Sequence, residues 1–135
     1  MNAEQRQVIR LKLKKAKALL SEADILLQNK FYATVINRLY YSCFHATKAL
    51  LLTKDIIPKT HNGVIHQLHL HFVQPGNFDS AHASFFSRLM QERIEEDYTD
   101  VIMEDEENTR SFIEPATQYV AYIEMLIDKI FLEDK

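Results

Sequence analysis

Ile9, Leu13, Ala16, Leu20, Ala23 and Leu27 recur every three or four residues, the interval at which one face of a helix repeats. Arg6, Arg10, Lys14 and Lys17 ride on a neighbouring face. The pattern predicts a first helix over roughly residues 3–28. A second, over roughly 31–53, is apolar nearly all round and ends at Lys54–Asp55 and Pro58; such a helix belongs at the centre of a fold. The third segment, VIHQLHLHFV, alternates like a strand as well as it steps like a helix. Ile65, Leu68 and Phe72 fall at helical intervals, and a lone strand would have no partner. A helix near 62–73 is the prediction. A fourth starts after Pro75–Gly76 with Asp79 or Ser80 as N-cap and runs to about Tyr98. The fifth opens on the acidic cluster Glu104–Glu107, placed to complement the helix dipole, and continues to the C-terminus. Pro115 inside it is expected to kink it or divide it in two.

Only 2 Gly and 3 Pro among 135 residues, with 47% hydrophobic positions, agree with long helices and short connections. The length fits one all-α domain spanning residues 1–135, and no repeat or linker interrupts it. A single cysteine, Cys43, has no internal disulfide partner, so a reducing compartment is expected. The chain opens on no signal segment and its apolar runs fall short of a membrane span, so a cytoplasmic protein without a membrane partner is expected. The net charge of −3 conceals a split. Residues 1–60 carry 11 basic and 4 acidic side chains, and residues 61–135 carry 5 and 15. Either the first part faces a polyanion, or the two parts trade charges as neighbouring helices of one bundle.

The second helix raises the question of chemistry. Arg38 and His45 interrupt its apolar sequence, NRLYYSCFHATKALL. At helical pitch they lie within about 20° of one another and roughly 10 Å apart along the axis. Thr34, Tyr41, Ser42, Ala49 and Leu52 share that face, and Ile36, Tyr40, Cys43, Phe44, Leu50 and Leu51 take the other. A buried charge without a partner is too costly to be incidental. Arginine can hold two phosphate oxygens at once, and histidine exchanges a proton near neutrality. With the hydroxyls of Tyr41 and Ser42 they form a strip suited to a phosphodiester: the imidazole as base toward a ribose 2′-hydroxyl, the guanidinium on the phosphorane oxygens. The plainer reading makes Arg38 a core ion-pair member, with Glu95, Glu96 or Asp97 as partner, and His45 a hydrogen-bonded interior residue.

NRLYYSCFHATKALL, THNGV at 60–64 and RIEEDY at 93–98 together resemble the HEPN domain family. More narrowly, the chain is similar to the small single-domain HEPN proteins that accompany minimal nucleotidyltransferases. The resemblance runs from the first helix through the fifth. The spacing from Arg38 to His45 matches the family's arginine, four to six residues, histidine signature, which makes these two the candidate catalytic pair. What the resemblance implies is an up-and-down bundle of about five helices, homodimeric, with two such motifs meeting at one cleft. It also implies a toxin–antitoxin setting, a nucleotidyltransferase partner, and metal-independent RNA cleavage without a cofactor. Its alternative is a subunit that binds nucleotide or a partner protein without cutting. The chain departs from the pattern at Leu39, where nuclease members usually carry a polar residue.

Other residues take supporting roles. His61 in THNGV stands where a helix begins; it could approach a phosphate or simply cap and pack locally. Arg93 and Asp97 are one turn apart and either pair with each other or place Asp97 behind Arg38, with Tyr98 a possible hydrogen-bond donor at the same place. HQLHLH at 66–71 puts His66 and His69 three apart, but without a Cys pair or a carboxylate motif no metal is expected. There is no Gly-rich phosphate loop.

Overall fold

The computed structural model describes residues 1–98 and 105–134; for residues 95–98 only the backbone is described. Five α-helices make up the described chain: α1 (Ala3–Gln28), α2 (Tyr32–Leu52), α3 (His61–Leu68), α4 (Ser80–Tyr98) and α5 (Glu106–Glu133). The starts follow local chemistry. Asn2 and Gln5 form a capping box at the head of α1. The Asp79 carboxylate accepts from Ala81 N–H at 3.0 Å ahead of α4, and Asp105 caps α5 by accepting from Asn108 N–H at 2.7 Å. The first two helices end alike. Lys30 (φ 65°) and Asp55 (φ 58°) adopt left-handed backbone, with Phe31 N–H bonded to the Leu26 carbonyl and Ile56 N–H to that of Leu51. Both ends are Schellman turns built without glycine.

α1 and α2 form an antiparallel hairpin across the short turn 29–31. Its register reads off three contacts: Arg38 opposite Glu22, Ser42 opposite Ala16, and His45 beside Val8, Leu11, Lys12 and Lys15. α2 is the central element, burying Val35, Ile36, Leu39, Tyr40, Cys43, Phe44, Ala46, Ala49, Leu50 and Leu51. Ile9, Leu13, Ala16, Ala23 and Leu27 of α1 close over one side. α5 packs on another, where the Thr47 and Tyr119 hydroxyls meet at 2.7 Å. α4 supplies Phe86, whose ring lies 5.9 Å from Tyr40 and 5.3 Å from Tyr119.

Two expectations are modified. The third segment is helical, but only His61–Leu68 is α; His69–Val73 is a π-helical turn. The wider turn keeps Phe72 buried while Leu70 stays exposed, and Lys54 Nζ donates to the His71 carbonyl at 2.9 Å. A cation from the turn that follows α2 thus satisfies an acceptor in the irregular turn. Pro115 does not divide α5, which runs unbroken across it. Thr109 and Phe112 before the proline, and Ala116, Tyr119, Val120, Ile123 and Ile127 after it, are buried. Their burial outweighs one missing backbone bond.

The charge split resolves into two faces. Arg6, Arg10 and Lys17 of α1 pair with Asp134, Asp128 and Glu124 at the end of the chain, so that much of it is exchange between neighbouring helices. Lys12, Lys15 and Lys48 make no ion pair among the described residues and gather on the other side of α1. No helix of the described chain is long and apolar enough to cross a membrane.

Candidate functional site

The hairpin register sets Arg38 and His45 along one edge of the α1/α2 seam. The Arg38 side chain is 38% exposed, with Nε 3.6 Å from the Glu22 carboxylate and a terminal nitrogen donating to Asn37 Oδ1 at 2.9 Å. Its described acidic partner thus comes from α1 and not from α4. The fourth-helix candidates Glu95, Glu96 and Asp97 have side chains outside the described residues. A half-exposed guanidinium beside an exposed carboxylate is held weakly enough to exchange partners. Leu39, next in the chain, is fully buried and points into the core.

His45 is half-buried and lines a shallow pocket of about 260 Å³ with Val8, Leu11, Lys12 and Lys15. Its Nδ1 is sealed and has no hydrogen-bond partner, which leaves Nε2 as the nitrogen open to the surface. Burial, then the positive charges of Lys15, Lys48 and Lys12, lower its pKa to about 4. The imidazole is therefore neutral at physiological pH and able to accept a proton. Burial, then the positive charges of Lys48 and Lys15, lower the pKa of Lys12 as well. The site is a neutral base set among cations.

Of the hydroxyls assigned to this strip, one departs from expectation. Ser42 is fully buried and donates to the Ala16 carbonyl at 2.6 Å. It points at α1 because small Ala16 lets the two helices approach there, so it cannot meet a substrate. Tyr41 stays half-exposed, 6.3 Å from the His45 ring.

His61 belongs to the same neighbourhood. Thr60 caps α3 by accepting from Gly63 N–H at 2.9 Å, and this first turn lays the imidazole against α2. It stacks on Phe44 at 4.5 Å and 18°, meets Tyr41 edge-on at 5.9 Å, and has Nδ1 2.6 Å from the Tyr40 hydroxyl. The Arg93 guanidinium lies over the Tyr40 ring at 4.8 Å and the Tyr41 ring at 5.8 Å, a cation–π placement that ties α4 to the site. The side chains of Asp97 and Tyr98 lie outside the described residues.

Tyr40 and the three lysines were not singled out by sequence. Tyr40 sits on what reads as the apolar side of α2, and only the need of a buried phenol for a partner marks it. The lysines were visible as excess charge but not as a cluster. In HQLHLH, His66 is exposed and His69 and His71 fall in the π turn; among the described residues no three His, Cys, Asp or Glu side chains come together as a metal site.

Comparison with known proteins bears on the arrangement. The HEPN domain model matches residues 9–126, which include all of α2, α3 and α4. The chain belongs to the HEPN domain family. Within it, this HEPN protein is 35% identical over 130 residues, 96% of each chain, to the Methanocaldococcus jannaschii protein named "Putative toxin MJ0605". It is 30% identical over 127 residues, 94% of its length and 96% of the relative's, to a Thermotoga maritima UPF0332 protein. A second M. jannaschii protein, named "Putative toxin MJ0142", is 34% identical over 86 residues, 64% of this chain and 58% of that one. The all-helical architecture agrees with membership.

Proposed function

We propose that this HEPN protein is the toxin-like component of a two-protein system and that it cleaves RNA without a metal. The observation that carries the reading is His45: a neutral imidazole with Nε2 open, ringed by Lys12, Lys15 and Lys48, two turns along the same seam from Arg38. His45 Nε2 takes the proton of a ribose 2′-hydroxyl. O2′ then attacks the adjacent phosphorus, and the bond to the 5′-oxygen breaks. The protonated imidazole returns its proton to the departing 5′-oxygen, leaving a 2′,3′-cyclic phosphate and a 5′-hydroxyl. Arg38 exchanges Glu22 for the phosphorane oxygens, and the lysines hold the flanking backbone.

Val8 and Leu11, 48% and 56% exposed, border the His45 pocket. A second copy seated there would cover them and bring two Arg38–His45 pairs to one cleft, so the active form is a homodimer. The partner in the system is a nucleotidyltransferase-domain protein, as in the HEPN proteins this chain resembles. Buried Leu39, in place of a polar residue beside Arg38, favours a second reading in which the same cationic strip binds nucleotide or partner without cutting. Incubating RNA with wild type, Arg38→Ala and His45→Ala separates the two. Cyclic-phosphate products from wild type alone support cleavage. Binding by all three with no product supports the second reading.

A further inference from the structure

We propose that Tyr40, His61 and Lys48 form a second phosphate subsite, which holds single-stranded RNA across the Tyr41 and Phe44 rings from His45; the choice of RNA as ligand rests on the function proposed above. Three observations converge on it. Tyr41 and Phe44 each touch both imidazoles, at 6.3 and 5.7 Å from His45 and at 5.9 and 4.5 Å from His61. The two histidines are therefore separated by a single layer of aromatic side chains.

The His61 tautomer is set from beneath. The Tyr40 ring is fully buried, and burial pushes its phenol well above the ordinary range, so the hydroxyl keeps its proton and donates it to Nδ1 at 2.6 Å. Burial first, then the charges of Arg93 and Lys48, lower the His61 pKa. A neutral imidazole that accepts at Nδ1 must carry its hydrogen on Nε2. That nitrogen has no protein partner and is not sealed. It is a donor held in place and aimed outward.

Lys48 completes the subsite. Its Nζ lies 5.3 Å over the Phe44 ring, its charge acts on both His45 and His61, and no carboxylate pairs with it among the described residues. A fixed neutral donor beside a cation is the recognition chemistry of a phosphate oxygen.

The test uses the full chain and a fluorescein-labelled 2′-O-methyl oligonucleotide, which has no 2′-hydroxyl to attack and so reports binding alone. His61→Phe keeps the stack on Phe44 and removes the donor; it should weaken binding about tenfold, the loss of one hydrogen bond to a charged group. His61→Gln, which returns an N–H near Nε2, should stay within about threefold of wild type. Lys48→Gln should weaken binding and lower the slope of log affinity against log salt by about 0.7. His61→Phe should leave that slope unchanged, because the imidazole is neutral. Thermal melts confirm folding; should His61→Phe not fold, the glutamine and Lys48 variants carry the test. No binding by wild type, wild-type affinity in both His61→Phe and Lys48→Gln, or a lowered slope in His61→Phe would overturn the subsite. Cleavage of unmodified RNA is scored separately. Binding losses as expected with no cleavage by wild type would leave the subsite standing and remove the nuclease. Cleavage with unaltered binding in the variants would do the reverse.

Discussion

Arg38 Nε stands 3.6 Å from the Glu22 carboxylate, and both side chains reach solvent. The arginine of the signature is thus held on the α1/α2 seam by a partner it can leave. An exposed pair of this kind contributes at most about 1 kcal/mol. Arg38→Ala should therefore fold and lose no more than that in a urea titration, while RNA cleavage disappears. A loss of about 3–5 kcal/mol would instead mark a buried ion pair and return Arg38 to a structural role.

The histidines make stability depend on pH. Their folded-state pKa values are depressed, His45 to about 4 and His61 in the same direction, against roughly 6.5 in the unfolded chain. The unfolded state then binds protons that the folded state refuses. Their contribution is complete above about pH 6.5 and is lost as pH falls toward 4. Melting temperature should drop over that interval, and His45→Gln should shrink the drop. A variant with the same pH dependence as wild type would show that His45 is not held neutral by its surroundings.

Ser42 offers a control within two turns of both signature residues. Its hydroxyl is spent on the Ala16 carbonyl, so Ser42→Ala should cost about 1 kcal/mol of stability and leave cleavage unchanged. A large loss of activity in a folded protein would put Ser42 back at the site.

Gly63 is set by contact. A Cβ there would stand 2.9 Å from Thr60 Oγ1 and 3.3 Å from Pro58 Cβ, and Thr60 Oγ1 is the atom that caps α3. An alanine within a helix ordinarily gains about 0.5–1 kcal/mol over glycine. Here the disturbed cap should cancel that gain, with net destabilisation of up to about 1 kcal/mol. Hydrogen exchange in the first turn of α3 should rise, and stabilisation by Gly63→Ala would contradict the contact.

How far the fold could be read in advance depended on how local its causes are. α1 was legible because the repeat from Ile9 to Leu27 lies within it. The π turn was not, since HQLHLH carries no local mark of the wider turn, and the Lys54 contact to the His71 carbonyl comes from another segment. That α5 would stay undivided across Pro115 was not legible either, because its neighbours' burial is a tertiary fact. At the site, spacing put Arg38 and His45 on one edge, but a helix apolar all round does not announce which flank its neighbour takes. Ser42 was therefore placed outward and Tyr40 inward without its partner. The gathering of Lys12, Lys15 and Lys48 required the hairpin register, which no single helix encodes.

The most direct test of the central claim is digestion of RNA in excess EDTA, followed by the chemistry of the new ends. Wild type should cut and leave 2′,3′-cyclic phosphate and 5′-hydroxyl termini, and His45→Ala should be slower by about 10²–10⁴-fold while keeping its fold. Cutting by His45→Ala at the wild-type rate, or loss of wild-type cutting to the chelator, would contradict the account.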